Sequence, residues 1–316
     1  MLSTEGVRQG RYKRQCFPPF REGELRGEIS AFVETSAYHL IDEFVGRGSA
    51  ELCGEFCSPL AAVSVGRILG LRGIDTEQLR SVYDDFAAAL ANFDRSEEVR
   101  RRGLDTVAGF RGVLQNQLAD AEDGTLLAVL AHASVDRLSD SEIISNALLI
   151  LFGGLETTES MILNALWALL NHEEQHAEVL ADRRLLPNAV EEALRWETPV
   201  QTCTRHATRT IALGAAEIEA GETVQCMLGA ANRDAEHFER PEVFDIHRRN
   251  ASDHLSFGFG AHFCLGAALA RREAEIGINA LLDRLPDLRI ERDRSASPRG
   301  HEFRKPAALW VSFSRL

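Results

Sequence analysis

The stretch 254-HLSFGFGAHFCLGAALARREAE-275 joins a glycine-rich loop to a strong helix former, with one cysteine, Cys264, at the seam. Gly258, Gly260 and Gly266 let the backbone fold tightly and turn N–H groups toward the sulfur. The helix beyond presents the positive end of its dipole and its unpaired N–H groups. Both favour thiolate over thiol, and Phe257 is placed to shield one side. On this chemistry alone Cys264 is a lone metal ligand, a nucleophile or an inert packed thiol. A nucleophile needs a base, and a loop seldom brings a near neighbour such as His262 face to face with it.

The rest of the chain narrows the class. A hydrophobic fraction of 45% over 316 residues suits a globular protein with a sizeable core, and one domain over 1–316 fits better than two. The net charge of -13, from 48 acidic and 35 basic residues, disfavours nonspecific nucleic-acid binding. The opening MLSTEGVRQGRYKRQCF lacks the apolar core of a signal peptide. The apolar runs ALLILF and MILNALWALL are interrupted by Gly153, Gly154, Glu156 and Glu159, so no membrane span is expected. Six cysteines in a chain this long do not make a disulfide framework, which points to a reduced, cytoplasmic protein. Cys53 and Cys57 lack further Cys or His at zinc spacing and read as buried structural thiols.

Helical periodicity predicts helices over about 23–47, 51–69, 76–93, 96–121, 140–170, 172–182 and 187–196. Segment 140–170 is apolar all round and is expected to cross the core, capped by Ser139 or Asp140. After Pro199 short β-like runs and glycine turns predict a small sheet. A loop from about 231 to 260, the helix after Cys264 and a β-hairpin in EFRKPAALWVSFSRL complete the chain. The expected fold is mainly α with a minor β-sheet.

FGFGAHFCLG resembles the haem-binding loop of cytochromes P450, Phe-x-x-Gly-x-x-x-Cys-x-Gly, with Phe257, Gly260, Cys264 and Gly266 in the four places. GGLETT (153–158) is similar to the family's distal helix motif, and EEALR supplies Glu192 and Arg195 of its Glu-x-x-Arg motif. Order and spacing match as well. The resemblance, to soluble bacterial members, implies a P450-like haem domain that is N-terminally shortened, with a more open distal side. It implies haem b, with Cys264 as iron ligand and Phe257, Gly258 and Gly266 around it.

Gly153 and Gly154 would let the macrocycle approach the helix, although close helix packing explains glycines equally well. Thr157 and Glu156 would deliver protons, and Glu192 with Arg195 would form a buried structural pair. Val243 stands where many members carry the arginine that completes that pair, with Arg248 or Asn232 as substitutes. Arg205 and His262 match propionate-binding positions. The further propionate clamp falls on Gln9 and Lys13 and is altered, which leaves Arg11 or Arg14 as stand-ins. Leu149, Phe152, Val200 and Gln201 would line an apolar pocket. The implied activity is that of a haem-thiolate monooxygenase acting with O2 on a small apolar organic substrate. Its electrons would come from a separate ferredoxin and ferredoxin reductase, docked on Arg11, Lys13, Arg14, Arg271 and Arg272. A non-catalytic haem-binding or sensor protein is the alternative, and peroxide-driven oxidation a third reading. The retained acid–threonine pair argues against both.

Overall fold

The computed structural model describes residues 1 and 4–315. In chain order the helices from six residues upward begin with α1 (Gly6–Cys16), α2 (Ser30–Asp42), α3 (Ser58–Leu69), α4 (Thr76–Leu90) and α5 (Glu97–Leu118). They continue with α6 (Leu126–Ala131), α7 (Asp140–Asn171), α8 (Glu173–Ala181), α9 (Leu186–Trp196) and α10 (Ala267–Arg284). Strands β1 (Ser49–Glu51), β7 (Trp310–Ser312) and β6 (Arg289–Ile290) form one antiparallel sheet, in that order. Strand β2 (Thr202–His206) pairs with β5 (Thr223–Met227), and β3 (Ile211–Leu213) with β4 (Ala216–Ile218).

Helix α7 organises the molecule, and its start is local. Ser139 accepts from the Glu142 N–H while the Glu142 carboxylate accepts from the Ser139 N–H, a reciprocal capping box. Its apolar character all round has a tertiary reason. The first half, through Ile143, Leu148, Leu151 and Leu155, belongs to one core with Tyr12, Val65, Leu79 and Leu127. The second half, from Met161 to Leu170, belongs to another with Ile41, Phe56, Val190, Ile278 and Val311. Each half has its own set of partners, and along the first half a narrow strip through Ser141, Ser145 and Gly153 is left exposed.

Glycine in the middle of this helix separates two readings. A Cβ on Gly154 would lie 2.8 Å from Val65 Cγ2 of α3, whereas a Cβ on Gly153 would meet nothing within 4 Å. Close packing of α3 on α7 therefore explains Gly154, and only Gly153 has its surface open. Gly154→Ala should cost about 1–3 kcal/mol through overpacking, partly recovered by adding Val65→Ala. Gly153→Ala should be neutral or gain up to about 1 kcal/mol of helix propensity. Thermal unfolding of the variants checks the contrast.

Several sequence expectations shift. Segment 23–47 is not one helix: a π-helical turn at Leu25–Ile29, with Gly27 at ψ -114°, precedes α2. A second π-turn, Cys53–Cys57, precedes α3, and both thiols are buried as expected. Helix α6 has only six residues, too few for a period to show, and starts from a Thr125 cap. Among the described residues the C-terminal segment does not form a hairpin. Trp310–Ser312 pairs with β1 and β6 instead, while Phe303 and Lys305 make only isolated bridges to Val200 and Arg299. Pro306 lacks an N–H donor and breaks the first half of that segment.

Candidate active site

Gly258 and Gly260 both take φ of +72°, the left-handed region where glycine is favoured. That curls the loop so that the Cys264 N–H donates to the Phe257 carbonyl at 2.9 Å and the Phe263 N–H to Gly260 at 3.0 Å. Gly266 precedes the first turn of α10 and donates its backbone N–H to the Cys264 sulfur. Phe257 lies beneath the Arg271 guanidinium, 4.5 Å from ring centre to Cζ, and beside His254 and Phe263.

Cys264 is exposed, yet protein crowds around its sulfur. Desolvation pushes the thiol pKa up, against the Gly266 N–H and the positive charges of Arg271 and Lys13. This reverses the expected thiolate bias, because the helix start is weaker than the desolvation. The three sequence readings now separate. An inert packed thiol is not exposed. An activated nucleophile has a lowered pKa and a base in contact, but the His262 Nε2 pairs with Glu5 Oε1 at 3.0 Å. A ligand fits, since a coordinated metal deprotonates its thiol outright.

The pair behind the loop is fully buried. Arg195 donates to both Glu192 oxygens at 2.7 Å, with 0% side-chain exposure on each partner. Its remaining N–H groups donate to the carbonyls of Asn232, Pro241 and Val243 at 2.9–3.0 Å. Arg248 takes the third place, its Nε 3.1 Å from both Glu192 oxygens. Where Val243 stands, only its carbonyl takes part, accepting from both arginines. Asn232 has a different task. Its amide donates to Ser256 Oγ at 2.9 Å and its carbonyl oxygen accepts from the Leu255 N–H at 2.7 Å, which ties the network to the root of the cysteine loop.

Sequence reasoning missed a second brace. Glu191 accepts from Arg271 at 2.6 Å and lies 3.3 Å from His254 Nε2. Burial alone would raise its pKa, but Arg271 and His254 outweigh it and hold the carboxyl down at about 2. The doublet Glu191–Glu192 was the available signal. The pairing leaves Arg271 no free charge for a docking surface. Arg11 is likewise committed to Glu142 at 3.3 Å, and Arg272 lies 3.7 Å from Glu275.

The positions of the altered clamp grip the loop itself. Gln9 and Lys13 on α1 both donate to the Ala261 carbonyl at 2.8 Å, and Lys13 also to Phe263 at 2.9 Å. Arg14 is exposed. Arg205 is exposed on β2, and among the described residues its side chain bonds only the neighbouring Thr204 carbonyl.

On α7, Thr157 Oγ1 donates to the Gly153 carbonyl at 2.5 Å. Glu156, beside it, lies 3.1 Å from the Lys305 ammonium. Phe152 stacks on Tyr83 of α4 with centroids 5.2 Å apart and touches Phe86, and Leu149 is half-buried. Gln201 spends its side-chain amide on the Thr198 carbonyl at 2.6 Å, and Val200 bridges to Phe303. These two stand apart from Phe152 in the contacts they make.

The residues present fit the haem that the resemblance implies. Cys264 offers one accessible sulfur, backed by an N–H and two cations. Its neighbours Leu265 and Ala268 pack on the apolar cluster that contains Leu148, Leu151 and Leu155, so loop and central helix border one apolar region. Gly153, exposed beside that cluster, adds no bulk.

A family model described as cytochrome P450 matches residues 75–286. The biotin biosynthesis cytochrome P450 of Bacillus subtilis is 36% identical over 266 residues, which is 82% of this chain and 66% of that protein. The steroid C26-monooxygenase of Mycolicibacterium smegmatis is 35% identical over 270 residues, 84% of this chain and 67% of that one. The chain thus spans about two thirds of the length of these curated relatives. Among solved structures, P450BioI in complex with an acyl carrier protein carrying hexadec-9Z-enoic acid superposes with a TM-score of 0.90 at 32% identity. That match covers 98% of this chain and 81% of the other.

Proposed function

The chain belongs to the cytochrome P450 family, and on that premise we propose that it is a monooxygenase that inserts one oxygen atom of O2 into a small apolar organic substrate. A monooxygenase function fits the family membership, and nothing in the relatives favours a non-catalytic haem binder. Members bind haem b and generally work with redox partners, O2 and organic substrates. The observation that carries the reading is the accessible Cys264 sulfur at the start of α10, with the Gly266 N–H directed at it. Cys264 would hold haem there, and the group would supply the redox-active iron that activates O2, with a thiolate ligand favouring O–O cleavage.

The chain's own groups then divide the work. Cys264 ligates, and the Gly266 N–H, Lys13 and Arg271 moderate the charge on sulfur. Phe257, Gly258 and Gly266 shape the loop, and Gly153, with open space where a Cβ would stand, would leave room for the macrocycle. Gly154 serves by letting α3 close on α7. Arg205, His262 and Lys13 are assigned to the haem carboxylates as cationic or hydrogen-bonding partners. Leu149, Phe152, Val200 and Gln201 are assigned to the substrate side. Thr157 and Glu156 move protons: the Thr157 hydroxyl donates to Gly153 and keeps its lone pairs free to accept from water. Electrons come from a ferredoxin and ferredoxin reductase, and with Arg11 and Arg271 paired internally and Lys13 held on the cysteine loop, the exposed Arg14 is the basic group left to meet an acidic partner. Among the described residues no helix is long and apolar enough to cross a membrane, and we place the protein in the cytoplasm.

Thr157→Ala tests the catalytic reading. With surrogate ferredoxin, product per electron should fall about 10-fold or more, within the reach of a general-acid contribution, while peroxide release rises and substrate affinity holds. Unchanged coupled product formation would show that the hydroxyl has no part in proton delivery.

A further inference from the structure

A five-membered polar cluster is built around Lys305, which reaches α7 from the C-terminal segment. The Lys305 ammonium lies 2.5 Å from Glu159 and 3.1 Å from Glu156. The Cys53 thiol donates to Glu159 at 3.1 Å, and the Tyr83 phenol lies beside Glu156. Side-chain exposure is 21% for Lys305, 16% for Glu156 and 7% for Glu159. The backbone around the lysine is pinned: Asn164 of α7 donates to the Arg304 carbonyl at 2.9 Å, and the Lys305 N–H donates to Arg299 at 3.3 Å. Glu51 of β1 faces the same cluster, accepting from the Cys53 N–H.

Charge counting shows what this cluster can do. Burial would lower the Lys305 pKa, but Glu159 and Glu156 raise it further, so the lysine is cationic. Burial, with Glu159 and Glu156 as neighbours, pushes the Cys53 thiol and the Tyr83 phenol up, so both remain neutral donors. Two carboxylates face one ammonium. The cluster therefore carries a net negative charge on α7, where Glu156 directly precedes Thr157 in the chain. Without the ammonium two like charges would stand together in a mostly buried site.

We propose that Lys305 is a positioning residue for oxygen activation: it clamps Glu156 and Glu159 as one proton-holding unit, from which a proton taken from water passes through Glu156 Oε to the Thr157 hydroxyl. This rests on the proton-delivery role proposed for Thr157 and Glu156. The clamp is contributed by a segment more than a hundred positions away in the chain, so it is independent of the local GGLETT motif.

Infrared spectroscopy of the holoenzyme tests the clamp apart from turnover. Relative to wild type, Lys305→Met should gain a protonated-carboxyl C=O band at neutral pH that disappears when Glu156→Gln or Glu159→Gln is added. The S–H stretch that Cys53→Ser removes should shift as its acceptor loses charge. Lys305→Arg should restore both signals, and Lys305→Gln serves as a second neutral variant if the methionine form folds poorly. In turnover, Lys305→Met should lower the product-to-peroxide ratio several-fold and move its pH profile, with substrate affinity unchanged and Lys305→Arg rescuing. If neither neutral variant gains the carboxyl band, the clamp does not exist and the inference fails. If Glu156→Gln changes the partition but Lys305→Met does not, the inference fails while proton delivery by Glu156 stands. If Glu156→Gln and Thr157→Ala both leave the partition unchanged, the delivery reading fails and takes the role of Lys305 with it.

Discussion

Cys264→Ala is expected to abolish monooxygenase turnover while leaving the fold in place. Haem-loaded wild type, reduced and exposed to carbon monoxide, should show the strongly red-shifted Soret band of thiolate ligation, and the variant should not. No other thiol is exposed to replace it: Cys16, Cys53 and Cys57 are buried, and Cys203 and Cys226 are half-buried on β2 and β5. The loop does not need the thiol for its shape. The backbone bond from Cys264 to Phe257 and the positive φ of Gly258 and Gly260 remain. Because the side chain is exposed, its loss should change stability by no more than about 0.5 kcal/mol. Persistence of the red-shifted band in Cys264→Ala would defeat the assignment outright.

Arg195→Ala should have the largest effect on stability, about 3–5 kcal/mol, because it removes one member of a fully buried ion pair. The Asn232 and Pro241 carbonyls lose the Arg195 donor, while Val243 keeps the one from Arg248, and Arg248 is left as the one cation facing Glu192. At about 2–4 °C per kcal/mol for a large domain, the midpoint of thermal unfolding should drop by roughly 10 °C. Arg195→Lys should not rescue, since one ammonium cannot replace a fork that serves two carboxylate oxygens and three carbonyls. The exposed pair Glu97–Arg100 is the control, and its removal should leave the unfolding midpoint essentially where it is in wild type. Haem retention should weaken along with stability, because the network reaches the cysteine loop through Asn232 and Ser256. A midpoint within roughly 2 °C of wild type would show that the buried-pair estimate does not hold here.

Legibility differed by the kind of interaction involved. The cysteine loop was readable because its shape depends on glycines within a few residues of the sulfur. The start of α7 was readable because Ser139 and Glu142 cap each other across three residues. The central GGLETT glycines were not: nothing local distinguishes the position that meets Val65 from the one that meets open space. The choice between Arg248 and Asn232 was open for the same reason, since Arg248 is 56 positions from Glu192. The Glu191–Arg271–His254 brace went unseen because each of its residues, alone, resembles an ordinary surface charge. The C-terminal strand was visible, but its partners were not.

By itself the sequence determined the helical class, the long core-crossing helix, the thiol loop and the family, all of which rest on short-range backbone preferences and motif spacing. Tertiary structure decided the rest. It set the thiol's protonation bias by desolvation, assigned one glycine to packing, chose Arg248 for the buried network and carried Lys305 across 149 positions to Glu156. Local conformation is set by neighbours along the chain. Desolvation, packing clearance and ion pairing are set by neighbours in space, and these exist only once the two cores on α7 have closed.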